Sequence, residues 1–247
     1  MSGTAPQRLT LAHGESVAYA VRRSARARRM RLYYRPGEGL TLVLPTRVSA
    51  KRGQQFVEQS RDWVAAQHAR FGAEVRRVER ERDTLPGELN LPALNERWTI
   101  RYRRTAASTV RAVGGADGEV VVSGAIDDVA ACHAALRRWL LRHAEAAMRP
   151  ALDALSRKTG LVFSTLKIRT QRARWGSCNS RGAISLNGKL LFVSPPQLDY
   201  VLAHELVHTR EMNHSARFWA RLEAIVPNAR RLDRSLRRGW AMVPGWV

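Results

Sequence analysis

The segment that most constrains this chain is HELVH at residues 204–208, which is followed by His214. Two histidines four residues apart on a helix point in the same direction, about one turn from each other. The imidazoles of His204 and His208 can therefore occupy two corners of a tetrahedral zinc site, and Glu205 stands where a zinc hydrolase keeps its general base. If the helix ends soon afterwards, His214 can return as a third ligand. Three protein ligands leave one position open for water, as in a catalytic zinc site.

A motif with three fixed residues also arises by chance on the solvated face of a helix, so its surroundings matter. Ser194-Pro195-Pro196-Gln197 supplies an N-cap serine, a proline at the first helical position and a capping-box glutamine. Leu202 and Leu206 lie opposite the histidines, so the helix is buried and its polar stripe needs a partner. Asn213, a residue that tolerates the left-handed conformation, separates this helix from a second apolar one. These features favour a metal site.

The overall composition indicates the domain number and the cellular compartment that we expect for this protein. The 247 residues are enough for one large domain or two small ones, and the hydrophobic content of 45% is ordinary for a globular protein. No apolar run approaches the length of a membrane span, and residues 1–11 lack the apolar stretch of a signal peptide. Cys132 and Cys178 form no disulfide framework. We therefore expect a cytoplasmic protein with no membrane partner.

The net charge of +21 has two interpretations, and the sequence leaves both open. All but four of the 42 basic residues are arginine. A surface rich in arginine can bind nucleic acid or a nucleotide. It can equally be a solvated face that discourages the pairing of edge strands. One cluster comprises Arg22, Arg23, Arg26, Arg28, Arg29, Arg31 and Arg35.

Periodicity and turn signals predict three regions along the chain. Residues 1–82 read as a β-rich N-terminal part that ends in a helix. Residues 83–95 contain two prolines and a glycine, and residues 114–118 give a hairpin signal, so residues 83–127 read as a linker and a β-hairpin. Residues 128–247 read as the catalytic core, beginning with a long helix. No internal repeat is apparent.

Four motifs in the second half carry a resemblance to a known family. They are RWGSC at residues 174–178, ISLN at 184–187, DYVLAHELVH at 199–208 and NHSARFW at 213–219. Together they resemble the YgjP-like metallopeptidase family, which is related to the SprT and WLM zincins. The resemblance covers nearly the whole chain. It implies an α+β fold with a zincin-like core, made of an HExxH helix, a short mixed sheet and a C-terminal helix, after an N-terminal β-rich part.

The resemblance also implies an activity. Carried over residue by residue, it assigns zinc to His204, His208 and His214 and the general base to Glu205. Family members are zinc-dependent hydrolases, usually peptidases acting on peptide or protein substrates. Some are assigned a nucleoside-triphosphate pyrophosphatase activity on UTP, and SprT and WLM relatives include proteases that act on proteins attached to DNA. Both alternatives stay open. The chain differs from metzincins, because Glu211 replaces their helix-ending glycine.

Residues for substrate binding are less constrained by the sequence. The oxyanion formed during peptide hydrolysis needs a donor besides the metal, and Arg174, Asn187 and the backbone near Ser177 are candidates. Trp175 is a further candidate for contact with substrate, although an arginine–tryptophan pair more commonly packs a loop. We also expect the strand at residues 184–187 to offer an edge to which a substrate peptide can pair.

Overall fold

The structure is a computed structural model that divides into two compact units, Met1–Arg82 and Asp83–Val247. The residues that it describes are 7–12, 14–35, 39–115 and 117–247. None of the helices among these residues is both long enough and apolar enough to cross a membrane.

The described residues of the first unit form one four-stranded sheet and two helices. Its elements are β1 (Gln7–Thr10), β2 (Ser16–Ser24), β3 (Arg31–Arg35), β4 (Gly39–Pro45), α1 (Ala50–Gln59) and α2 (Arg61–Asp83). The strand order is β1-β2-β4-β3, with β2 parallel to β4 and the other neighbours antiparallel. Leu40, Leu42 and Leu44 alternate along β4 and are buried with Val57 and Val64 of the helices. This period of two places one face of the sheet in the core.

The second unit holds the remaining elements. Its strands are β5 (Glu88–Leu91), β6 (Glu96–Arg104), β7 (Arg111–Gly114), β8 (Glu119–Gly124), β9 (Thr165–Arg169), β10 (Gly176–Cys178) and β11 (Ala183–Asn187). Its α-helices are α3 (Val129–Thr159), α4 (Pro195–Val207), α5 (Ala216–Ile225) and α6 (Ala229–Leu236). Short 3-10 helices occupy Pro92–Leu94, Gly188–Phe192 and Gly239–Met242. The strands form two sheets, with the orders β5-β6-β8-β7 and β10-β11-β9.

Residues 83–127 differ from the linker and hairpin that the sequence predicts. The hairpin is present as β7 and β8, but these strands belong to a complete four-stranded sheet with β5 and β6. Leu89 and Leu91 of β5 are buried in the same core as Leu136 and Leu140 of α3. The region is therefore an integral layer of the second unit. Its prolines flank β5 and do not mark a linker.

One arrangement of elements occurs three times, although the sequence shows no repeat. In β2–β3–β4, β6–β7–β8 and β9–β10–β11, the third strand lies in the middle, parallel to the first and antiparallel to the second. The third strand follows or begins at a glycine with positive φ, which only glycine adopts readily. These glycines are Gly39, Gly118 and Gly182, at φ of 68°, 74° and 72°. An N-capped helix then follows, and the caps are Ser49, Asp128 and Ser194.

The third copy of this arrangement leads into the HExxH helix. The predicted α+β class is confirmed: α4 carries the motif, β9 to β11 form the short mixed sheet, and α5 and α6 are the C-terminal helices. The core of this unit also includes Leu198, Leu202 and Leu206 on the buried face of α4.

Candidate metal centre

Helix α4 presents the motif as its capping residues predict. The backbone N–H of Ser194 donates to Gln197 Oε1 at 3.1 Å, which closes the capping box at the first turn. The helix ends at Val207, and the chain turns before Ser215 caps α5 by accepting from the Phe218 amide at 3.4 Å. This turn returns His214 to the face of α4 that carries the other two histidines.

The three histidines converge through their Nε2 atoms. Nε2 of His204 lies 3.1 Å from Nε2 of His208 and 3.1 Å from Nε2 of His214. A tetrahedral zinc with Zn–N distances of about 2.0–2.1 Å separates its nitrogens by about 3.3 Å. The Phe218 ring lies beneath all three, with centroids 4.6 to 4.9 Å from theirs. Among the described residues, this is the one group of three or more possible ligands with such spacing.

The Nδ1 atoms on the other side of two rings have partners of their own. Nδ1 of His208 lies 2.8 Å from the carbonyl oxygen of Glu211, which can only accept, so this Nδ1 carries the proton. Nδ1 of His204 lies 3.0 Å from the Tyr200 hydroxyl, which in turn lies 2.9 Å from Asp233 Oδ1. Because a proton on Nδ1 is held by such a partner, the lone pair of the same ring is on Nε2 and is free to bind a metal.

The electrostatic environment keeps these rings in the form that binds metal. Burial, and then the neighbouring His208 and His214, lower the pKa of His204 to about 3. Burial also lowers the pKa of His208, against the opposing effect of its hydrogen bond to Glu211. Neutral imidazoles are the metal-ligating form. The geometry, the tautomers and the charge state therefore all fit a divalent metal.

Glu205 is buried beside the histidines and lies against strand β10. Glu205 is only 5% exposed, and its Oε2 atom has no hydrogen-bond partner in the described part of the chain. Burial raises the pKa of Glu205 to about 8, and the charge of Arg174 partly opposes this. A Cβ at Gly176 would lie 2.6 to 2.8 Å from the Glu205 Oε1, Cγ and Cδ atoms. The glycine in RWGSC is therefore required for β10 to approach this carboxyl group.

The predicted substrate-binding residues occupy different environments. Arg174 is exposed and acts on Glu205 through its charge, so it remains near the site. Ser177 is half-buried in the middle of β10. Trp175 stacks on Trp240, with centroids 4.1 Å apart and the planes 22° from parallel. The tryptophan thus packs the loop against the C-terminal segment.

Asn187 and the strand that carries it require corrections. Asn187 is fully buried, and its Nδ2 donates to the carbonyl oxygens of Gln171 and Arg174 at 2.9 and 3.0 Å. Its Oδ1 accepts from the Lys189 amide at 3.1 Å. These contacts use the polar atoms of the side chain to brace the preceding loop, so substrate does not reach them. Strand β11 is also the central strand of its sheet, and the edge strand beside Glu205 is β10.

Two residues at the site are not among those predicted from the sequence. Tyr200 is one helical turn before His204, a spacing that could have drawn attention to it. Asp233 lies on α6, and its contact with Tyr200 depends on the packing of α6 against α4. No local pattern could have indicated that contact.

A family model described as YgjP-like, metallopeptidase domain, matches residues 28–239. The chain belongs to this family. Membership in the YgjP-like family supports a metal-dependent peptidase, and the three histidines provide a place for its divalent metal.

One solved structure with similarity is the crystal structure of the metallopeptidase zymogen abylysin from Pyrococcus abyssi. It is 24% identical, the match covers 36% of this chain and 92% of the abylysin chain, and the TM-score is 0.33. No curated protein matches the sequence.

Proposed function

We propose that this YgjP-like chain is a zinc-dependent peptidase in which His204, His208 and His214 hold the zinc and Glu205 is the general base. The observation that carries the proposal is the convergence of three imidazole Nε2 atoms beside a buried carboxyl group. Three ligands from the protein leave room for water and substrate, as catalytic zinc sites do.

The donor set favours zinc and peptide hydrolysis over nucleotide hydrolysis. Imidazole nitrogens suit zinc, whereas Mg²⁺ prefers carboxylates, water and phosphate oxygens. Enzymes that cleave nucleoside triphosphates usually hold Mg²⁺ through carboxylates. Here the cluster consists of histidines alone among the described residues. A UTP pyrophosphatase using the same site is therefore the weaker candidate.

In this mechanism the role of Glu205 is proton transfer. Zinc, when bound, polarises the peptide carbonyl and lowers the pKa of a water molecule. In its ionised form, which a bound cation would favour against the burial that raises its pKa to about 8, Glu205 takes a proton from the attacking water and passes it to the amine nitrogen as the C–N bond breaks. Because Oε2 has no partner among the described residues, no other protein group holds the carboxyl group at that oxygen. The exposed Arg174, whose charge acts on Glu205, is the protein donor that we propose for the developing oxyanion.

The open edge of β10 is the place that we propose for the substrate backbone. Trp175 and Asn179 are hydrogen-bonded through their backbones to residues at the two ends of β11, at 2.8 and 3.1 Å. Alternation in an antiparallel ladder then turns the backbone groups of Gly176 and Cys178 away from β11. No other described strand pairs with that edge. A substrate peptide can add there as a further strand, directly beside the Glu205 carboxyl group.

The experiment that tests the proposal compares substrates under one set of conditions. Purified protein with zinc is incubated with an unfolded protein and with UTP, each with and without DNA, and the products are measured by mass spectrometry and pyrophosphate assay. We expect new peptide termini that disappear in Glu205→Gln. Release of pyrophosphate without proteolysis would overturn the proposal, while proteolysis only with DNA would identify a DNA-associated protease.

A further inference from the structure

A chain of hydrogen bonds leads from the proposed metal centre to helix α6. The Tyr200 hydroxyl lies 3.0 Å from Nδ1 of His204 and 2.9 Å from Oδ1 of Asp233. Tyr200 is only 2% exposed, and it stands one turn before His204 on α4. Asp233 reaches the hydroxyl from α6. The chain therefore joins two helices through one ligand.

The chemistry of the three groups fixes the direction of both hydrogen bonds. A tyrosine hydroxyl has one proton to donate, and an ionised carboxylate can only accept. The Tyr200 hydroxyl therefore donates its proton to Asp233. The Tyr200 oxygen can then only accept a hydrogen bond from Nδ1 of His204. That arrangement places the imidazole proton on Nδ1 and the lone pair on Nε2, the atom 3.1 Å from its counterparts in His208 and His214.

The role of Asp233 follows from what happens without its carboxylate. A hydroxyl that has lost its acceptor can turn and donate to Nδ1 of His204. The imidazole proton would then sit on Nε2, where it blocks metal ligation. The tautomer of His208 does not depend on a side chain in this way, because its Nδ1 donates to the backbone carbonyl of Glu211.

We propose that Tyr200 and Asp233 are positioning residues that fix the tautomer and ring orientation of His204, and so set the affinity of the site for its metal. The inference rests on the proposed metal site. It adds that this affinity depends on the docking of α6 against α4, and not on the HExxH helix alone.

The experiment measures zinc affinity directly, by competition with a fluorescent chelator, in wild type, Tyr200→Phe and Asp233→Asn. Removing the partner of a metal-bound histidine typically lowers metal affinity by about 10- to 100-fold. We expect Tyr200→Phe to lie near the upper end of that range. Asp233→Asn should lie near the lower end, because an amide oxygen can still accept in one of its two orientations. The absorption spectrum of the cobalt-substituted protein reports whether the ligand field of the site has changed.

Two control variants separate positioning from stability. Tyr102→Phe removes another tyrosine hydrogen bond in the same unit, 2.8 Å to the carbonyl oxygen of Pro86. Glu223→Gln removes a carboxylate on the neighbouring α5, where it pairs with Arg230 at 3.0 Å. Both should leave zinc affinity and the cobalt spectrum unchanged. Thermal unfolding of the metal-free proteins shows whether each variant is folded, and the partly exposed Asp233 keeps the test available if Tyr200→Phe is unstable.

The outcomes distinguish this inference from the metal site on which it rests. If wild type binds no zinc, or His204→Ala binds it equally well, the proposed site itself is wrong. If His204→Ala loses zinc but Tyr200→Phe and Asp233→Asn bind as tightly as wild type, only the positioning role is overturned. It is also overturned if Tyr102→Phe weakens zinc binding as much as Tyr200→Phe does.

Discussion

Helices α3 and α4 follow the same three-stranded arrangement, yet among the described residues only α4 leads into a group of possible metal ligands. Helix α3 runs for 31 residues and buries an apolar row at intervals of four. That row, fully buried, consists of Cys132, Leu136, Leu140, Ala144 and Met148. Helix α4 runs for 13 residues and buries Leu202 and Leu206, but also Glu205, and His208 at its C-cap is buried as well. It ends before the chain turns back with His214.

The difference shows where a repeated scaffold can acquire a site. Both helices are capped and packed on a sheet, so the arrangement itself contributes stability and no reactivity. His208 at the end of α4 finds a partner in the Glu211 carbonyl because the helix is short and the next segment returns to it, whereas Oε2 of Glu205 has no partner among the described residues. Buried polar groups without such partners would be costly. Substitutions on α3 should therefore change the free energy of unfolding, and those around α4 should change metal binding or peptidase activity.

The largest expected effect is the loss of activity in Glu205→Gln. The amide has nearly the same shape as the carboxylate but cannot take a proton, and general acid–base catalysis contributes about 100- to 10,000-fold. We expect peptidase activity to fall by about that factor while zinc content, measured by elemental analysis, stays at the wild-type level. Glu223→Gln on α5 is the matched control and should retain activity. A fully active Glu205→Gln enzyme would show that the general base lies elsewhere.

The counterpart on α3 is Leu140→Ala, which should act on stability alone. Leu140 is fully buried in the core of the second unit, and such a truncation costs about 2–5 kcal/mol. Urea unfolding followed by tryptophan fluorescence measures this, since six of the seven tryptophans lie in residues 83–247. At temperatures where the variant is folded, zinc affinity should equal that of wild type. A large loss of zinc affinity in folded Leu140→Ala would show that α3 also affects the metal site, which contradicts the difference that we infer between the two helices.

Gly176→Ala tests how β10 and α4 fit together. The added methyl group would lie within 2.8 Å of the Glu205 side chain, so the carboxyl group or the strand must move. A displacement of about 1 Å can reduce catalysis about 100-fold. We expect a loss of that order with zinc retained. Gly87→Ala is the matched control, because nothing lies within 4 Å of the position of its Cβ. Equal activity of the two variants would mean that Glu205 does not need its present position.

The sequence could predict most of the metal centre but little of its support. His204, Glu205, His208 and His214 lie within eleven residues, where helix geometry and one turn determine their spacing. Asp233 reaches the site only through the packing of α6 on α4, which no local pattern encodes.

The fold shows the same division between local and long-range information. The capped start of α4 was readable in the sequence, and so was the α+β class. Strand β5 was not, because four residues between turn signals look like a linker until β6 pairs with them. The strand arrangement that occurs three times could not be recognised in the sequence, because the strand order and the positive-φ glycines recur while the side chains differ.

The smallest effect that we predict concerns the cap of α3. Asp128 accepts a hydrogen bond from the Ala131 amide at 2.9 Å, and replacing such a cap with alanine costs about 0.5–2 kcal/mol. Asp128→Ala should therefore lower the urea midpoint of the second unit slightly, with zinc affinity and peptidase activity unchanged. Asp128→Asn is the matched control, because asparagine caps helices as well as aspartate does. If Asp128→Asn destabilises the unit as much as Asp128→Ala, the carboxylate contributes by its charge. The start of α3 would then depend on an electrostatic interaction that the capping serine at the start of α4 lacks.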